Sequence, residues 1–339
     1  MKKTVECTYC DGTAILTRQN SSILYRKEQF NVTEHFYKCT VCSREFTTTE
    51  TDTLSLLQVY NQYREKYGIL FVEEIIEIRE KYGLSASKMS EILGLGINSY
   101  SNFERGEVPS AAIGNYIGTI SDPEVFLTLF EKGKDLFSDK VYEKTKQRIL
   151  DLKIEPRNVV TGPLNWFNKP NRFTGFRKVQ CNKLENLIKI LIKECKQEFN
   201  DRLKLNKLLF YTDFFNYKEN GASITGLTYR AIPYGPAPTY YDNILAWLMN
   251  EDVLISNWIK DENSSAHEVF EIQSDGNMDV FTLEERETIE TIIRNFKDIS
   301  SWDLVDLSHQ ETAWKELETN HELISYQEYA FEVKGVTIN

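Results

Sequence analysis

Two short cysteine knuckles constrain this chain more than any other feature. Cys7-Thr8-Tyr9-Cys10 and Cys39-Thr40-Val41-Cys42 share the spacing C-x2-C and stand 28 residues apart. A two-residue gap lets both thiolates of a knuckle face one ion, and two knuckles complete a tetrahedral four-sulfur shell. The expectation is one structural Zn2+ per chain, held by Cys7, Cys10, Cys39 and Cys42. Four thiolates leave no open position for a reacting water, so catalytic zinc is not expected. Disulfides are the competing use of these cysteines, and a reducing compartment disfavours them. Gly12 follows the first knuckle at a tight-turn position. The alternation around Ala14–Arg18, Ser22–Tyr25 and Glu34–Lys38 reads as short strands, giving a zinc ribbon over residues 1–55. With the metal shell full, His35 reads as a packed or surface histidine. Cys181 and Cys195 are isolated and read as buried or neutral thiols.

Charge is distributed unevenly. The 339 residues carry a formal net charge of −11, yet residues 140–182 hold ten Lys and Arg against three Asp and Glu, whereas residues 183–339 hold 15 against 28. Such a chain is not a general nucleic-acid coat; any DNA contact must use a local face. The acidic C-terminal part suits a protein partner better than a phosphate backbone. No apolar run reaches the roughly 18 residues of a membrane span, and no apolar run follows Lys2 and Lys3 as in a secretory signal. Cytoplasmic residence without membrane contact is the default expectation.

From Phe71 the pattern turns helical. Phe71-Val72, Ile75-Ile76 and Ile78 mark one helix, ended by Tyr82-Gly83. Ser85 caps a short second helix, Ala86–Leu93, and Gly94-Leu95-Gly96 turns the chain. Ile97–Arg105 reads as a third helix stopped by Gly106, and Pro109-Ser110 opens a fourth, Ala111–Ile120. Ile97, Tyr100 and Phe103 are expected to face the bundle, with Glu104 as an internal brace. Asn98, Ser99, Ser101, Asn102 and Arg105 are the candidate DNA-binding residues, since short polar side chains on such a helix can reach base edges in the major groove. A four-helix bundle used only for dimerisation is the alternative. This helix-turn-helix domain is assigned to residues 60–140.

The phrase Asn102-Phe103-Glu104-Arg105-Gly106, followed by Pro109-Ser110, resembles the signature of Xre-type helix-turn-helix domains. A four-cysteine ribbon followed by such a domain resembles the MqsA-like antitoxins over about residues 5–120. That resemblance implies a homodimer on a palindromic operator of double-stranded DNA. It also places Asn98 at the position of a base-reading Asn. The second reader of that family is an Arg, where this chain has Asn102, so the resemblance implies a different operator sequence with less preference for guanine.

Residues 141–182 are basic and interrupted by Pro156, Gly162-Pro163 and Pro170. Their aromatic and basic cluster, Asn165–Lys178, reads as a linker packing on the next domain; grazing DNA phosphates is the competing reading. The domain over 183–339 is expected to hold amphipathic helices at 183–199, from Leu203, at Tyr241–Asn250 and at Glu284–Phe296. The last starts with a capping box of Thr282 and Glu285. A hairpin strand is expected at Ile224–Ala231, ended by Gly235-Pro236-Ala237-Pro238. The overall class is mainly α and multidomain, with a small β ribbon and a small C-terminal β element.

Three ordered phrases carry a second resemblance: Lys204-Leu-x-Lys207-Leu-Leu-Phe210-x-x-Asp213, then Gly221 through Gly235-Pro236, then Leu307-Ser-His309-x-Glu311-x-x-Trp314. Together they resemble the Panacea, or SocA-like, antitoxin domain over about 180–335. The resemblance implies a mostly helical fold that neutralises a protein toxin, in one relative as a protease adaptor. His309, Glu311 and Asp213 also invite an acid–base reading. A packed helix start at Ser308-His309 with Trp314 at helical spacing, His309 serving as a hydrogen-bonding corner, is the better account, and no enzyme activity is expected. The acidic runs Asp261-Glu262 and Glu284–Glu287 read as solvated faces, or as mimics of an RNA substrate's phosphates. The combined expectation is a type II antitoxin that binds a cognate toxin and represses its own operon. A mobile-element regulator without a toxin, or a protease adaptor, are the alternatives. The toxin-binding residues are not legible.

Overall fold

A computed structural model describes residues 1–154, 169–196, 200–260 and 266–337. The expected features at Pro156, Gly162-Pro163, Asn165–Asn168 and Asp261-Glu262 lie outside these residues. The chain divides into two compact units, Met1–Val59 with Gly162–Asn339, and Tyr60–Thr161. The structure is mainly α with small β elements, as the sequence pattern implies.

The first unit opens with an antiparallel sheet in the order β1 (Thr4–Glu6), β2 (Thr13–Tyr25), β3 (Glu28–Cys39), β4 (Glu45–Phe46). The short strands expected around Ala14 and Ser22 are one continuous strand of 13 residues. The polar Asn20-Ser21 pair does not break it, because Asn20 and Ser21 stand in register with Thr33 and Val32 of β3. The hairpin closes through Arg26 and Lys27, both with positive φ. Helix α1 (Thr49–Tyr67) follows, and the division between the units falls inside it.

Within the first unit α1 acts as a substitute strand for β3. Gln58 accepts from the Thr33 N–H and donates to the Thr33 carbonyl, both at 2.8 Å. Ser55 accepts from the His35 N–H. His35 is fully buried, its Nε2 accepting from Arg18 Nε at 3.0 Å and its ring edge-on to Phe331 at 5.3 Å. Arg18 also pairs with Glu219. The histidine is thus packed, one of the two readings its position allowed.

The second unit is helical: α2 (Val72–Tyr82), α3 (Ala86–Ile92), α4 (Ser99–Glu104), α5 (Ala111–Thr119), α6 (Pro123–Lys132) and α7 (Asp139–Ile154). Its core collects Ile75, Ile78, Tyr82, Met89, Leu93, Tyr100, Phe103, Ile117, Phe126 and Phe130. The start and stop signals act where the sequence places them. Ser85 and Ser110 cap α3 and α5 through their side chains, and Gly83 closes α2 at φ +67°. Buried tyrosine hydroxyls find backbone acceptors, Tyr100 on Ile75 and Tyr82 on Ile120.

The C-terminal part of the first unit is built around α9 (Arg202–Asn220), which follows α8 (Cys181–Glu194). Every residue of α9 from Lys204 to Tyr217 is buried. Around it stand a hairpin of β5 (Tyr229–Ile232) and β6 (Gly235–Pro238), then α10 (Tyr241–Asn250) and a second hairpin of β7 (Leu254–Ile259) and β8 (His267–Ile272). Helices α11 (Leu283–Phe296), α12 (Ser301–Ser308), α13 (Thr312–Leu317) and α14 (Tyr326–Tyr329) complete it. The Thr282–Glu285 capping box is present. Glu285 is also buried, held at 2.5 Å by Arg177 and at 2.7 Å by Lys183. Two expectations differ from the structure. Ile224–Thr228 is not strand, because its backbone turns inward onto Asp213. Gly235–Pro238 does not end the hairpin but forms its second strand, Pro236 opposite Ala231 and Pro238 opposite Tyr229. Both prolines lie in β6, the outer strand, where proline is tolerated; β5 is bridged on its other side to Leu323.

Burial, and then the charges of Arg18 and Lys218, hold His35 well below its ordinary value, at about 4. The unfolded chain therefore takes up a proton near pH 6.5 that the folded chain refuses until about pH 4. Stability of the first unit should fall as pH drops through this window. Urea unfolding followed across the window should show this loss, and His35→Leu should flatten it; an unchanged slope in the variant would remove His35 from the account.

Candidate functional site

The N-terminal sheet brings the four knuckle cysteines together, all four sulfurs lying within 4.8 Å of one another. Cys7 Sγ stands 3.8 Å from Cys42 Sγ, and Cys10 Sγ stands 3.6 Å from Cys39 Sγ. A tetrahedral shell with metal–sulfur bonds of about 2.3 Å has sulfur–sulfur edges of about 3.8 Å, so the donor set fits such an ion. All six cysteines are free. Backbone N–H groups of Tyr9, Val41 and Cys42 point at the sulfurs of Cys7 and Cys39 at 3.4 Å. The Cys42 N–H, and then the Val41 N–H against the cost of burial, hold Cys39 down at about 6, whereas Cys10, despite the Gly12 N–H that lowers it, is pushed up to about 12 by the neighbouring Cys39 thiol and burial. A thiolate is the form a metal requires.

The glycine beside the first knuckle is needed for space rather than for its backbone angle. A Cβ on Gly12 would meet Val41 Cγ2 at 2.7 Å and Cys39 Sγ at 3.1 Å. Cys181 and Cys195 stand apart from the cluster. Burial pushes Cys181 up to about 11 and raises Cys195 as well.

In the second unit the tight turn between α3 and α4 presents the candidate reading residues. Asn98 and Arg105 are exposed, and Ser99, Ser101 and Asn102 are half-buried. Tyr100 and Phe103 turn inward as expected. Ile97 does not: it is 68% exposed. The helix begins at Ser99, with Asn98 as its cap, so Ile97 lies in the turn closed by Ser99 N–H on Gly96 O and the helical period does not apply to it. Two ion-and-hydrogen-bond braces hold α4. Glu104 receives Arg79 Nε at 2.5 Å, while Arg79 Nη1 donates to the Leu84 carbonyl. Buried Arg64 donates to the Gly106 and Glu107 carbonyls after the helix end. Glu104 is thus the internal brace its position implies, and Arg64 is a brace that no spacing rule pointed to.

The three C-terminal phrases supply buried side chains that hold the β5–β6 hairpin, the loop before it, the end of α11 and the backbone at Lys334-Gly335. Asp213, fully buried, accepts from the N–H groups of Ile224 and Thr225 at 2.8 Å, from the Tyr229 hydroxyl at 2.7 Å, and from the Thr225 hydroxyl. Burial raises its carboxyl while these donors lower it. Lys204 donates to the carbonyls of Lys297 and Ile299, just beyond α11. Lys207 donates to the Pro236 carbonyl at 2.8 Å, and burial brings it down to about 7. Trp314 Nε1 donates to the Ile232 carbonyl at 2.8 Å, with the His309 ring stacked on its indole at 3.8 Å. Glu311 accepts from the backbone of Lys334 and Gly335. His309 therefore ends α12 rather than starting a helix. It, Glu311 and Asp213 serve three separate packing tasks. The lysines and Glu311 as anchors of backbone were not anticipated; only their burial reveals them.

Residues 205–315 match the family model described as antitoxin SocA-like, Panacea domain. No curated protein matches the chain. No helix among the described residues is long and apolar enough to cross a membrane.

Two measurements test this geometry. Elemental analysis of the purified chain should give one bound ion per chain, and Cys39→Ser should lose it together with the fold of the N-terminal sheet. Asp213→Ala strips four donors of one acceptor, and should cost about 3 kcal/mol or more in urea unfolding; a cost below about 1 kcal/mol would mean the loop is held by other contacts.

Proposed function

We propose that this chain is an antitoxin of a type II toxin–antitoxin pair. The match of residues 205–315 to the SocA-like Panacea antitoxin model carries this reading. The C-terminal domain binds and silences a protein toxin and catalyses no reaction. The four-thiolate cluster holds a structural Zn2+, for which its spacing and sulfur geometry are suited.

The α3–turn–α4 pair binds the operator of the chain's own locus as a homodimer, in the cytoplasm. Asn98 and Asn102 would read adenine edges, with Ser99, Ser101 and Arg105 on neighbouring bases or phosphates. Exposed Ile97 beside Asn98 favours this reading, since an apolar side chain at that point suits a thymine methyl. Binding both DNA and toxin on one chain lets repression follow toxin supply.

Expression of the neighbouring open reading frame should arrest growth, and this chain should relieve the arrest; an absence of relief overturns the antitoxin assignment. In gel shifts on the upstream region, Asn98→Ala and Asn102→Ala should each lose about 1–3 kcal/mol of sequence preference while non-specific binding persists. Equal preference in the variants would remove both residues from base reading.

A further inference from the structure

The buried anchors of the C-terminal domain hold one hairpin rigidly and leave its tip bare. Lys207 fixes the Pro236 carbonyl and Trp314 fixes the Ile232 carbonyl, on either side of the turn. Gly235, at φ +88°, lies so close to Ser308 and Lys207 that no side chain fits there. At the tip between these anchors stands Tyr234, 54% exposed. Its ring meets the indole of Trp302 edge to face, with centroids 6.0 Å apart and planes at 76°. Trp302 is itself 60% exposed at the start of α12. A tyrosine and a tryptophan in mutual contact, each more than half open and set on fixed backbone, form a patch unlike a scattered surface residue.

The surroundings give the occupant a charge. Asp306 lies one helical turn beyond Trp302 on α12, and Asp303 lies next to it; both are exposed. Neither forms an ion pair among the described residues; Asp303 only accepts from the Ser300 hydroxyl that caps the helix. Aromatic rings attract cations through their faces, and a nearby carboxylate completes the site for a guanidinium or ammonium group. The same carboxylates repel phosphate, which disfavours a nucleic acid stacked on the rings. Because the hairpin is already rigid, little conformational freedom is lost when a partner docks.

We propose that Tyr234, Trp302 and Asp306 form a docking surface for a basic, Arg- or Lys-bearing segment of a protein partner. Identification of that partner as the toxin rests on the antitoxin reading; the surface chemistry does not. Tyr234 and Trp302 are the anchors, and Asp306 selects the charge.

The test uses the full chain and short random peptides displayed for selection against it. Selected peptides should be enriched in Arg and Lys. The best of them, synthesised, should lose about tenfold or more in affinity on Trp302→Ala and on Tyr234→Ala, the range seen when a central aromatic anchor is truncated. Asp306→Lys should weaken it comparably. All three side chains are exposed, so urea midpoints should match the parent; a shifted midpoint in one variant leaves the other two to decide. Peptides that bind the three variants as well as the parent overturn the proposal. So do uncharged peptides that depend on Trp302 but ignore Asp306. Either failure leaves the growth-relief test of the antitoxin reading intact, and failure of that test leaves this one intact.

Discussion

The carboxylate of Asp213 is the point on which the C-terminal fold depends. A charge buried without partners is costly, and four donors converge on this one from a segment about a dozen residues away. Satisfying it bends Ile224–Thr228 inward and delivers Tyr229 to the start of β5. The Tyr229 ring then packs against Phe210 and Phe214 of the helix that carries Asp213. This one buried carboxylate thus sets where the hairpin begins. The lysines of α9 work the same way from other turns of the helix, each giving its ammonium to carbonyls that a bundle of short elements would leave unpaired.

Local signals were readable where a residue's role is decided by its immediate neighbours. Thr282 with Glu285 and Ser85 before α3 act as the sequence implies, and the double C-x2-C spacing brings its four sulfurs together. Signals failed where tertiary contact decides. Gly-Pro-Ala-Pro reads as a chain break, yet it pairs as a strand, because Lys207 replaces a missing sheet neighbour. The strands Leu254–Ile259 and His267–Ile272 went unread, although Leu254, Val269 and Phe270 are buried. Ile97 failed for a different reason: its helix starts two residues later than the apolar pattern suggests.

Buried charge is the part of the candidate sites least visible in sequence. A lysine in a helical pattern is normally assigned to solvent. Lys204, Lys207 and Arg64 are fully buried, and each spends its donors on backbone carbonyls. Arg64 secures the exit of α4, as Lys207 secures the hairpin under Tyr234. In both units, then, exposed residues proposed for recognition, Arg105 and Tyr234, stand next to backbone clamped by a buried cation. Rigid support of this kind favours precise contact over adaptable contact.

The partnership of Gln58 with Thr33 has a consequence beyond packing. Strand β3 pairs with β4 only at Tyr37 and Lys38, which leaves its earlier residues with an open side. An open strand side is a template for another chain, and intermolecular sheet growth begins there. The amide of Gln58 reproduces both bonds that an invading strand would offer Thr33, and Ser55 takes up the next N–H along. The helix therefore shields the cysteine-bearing sheet from aggregation by occupying the very groups through which it would spread.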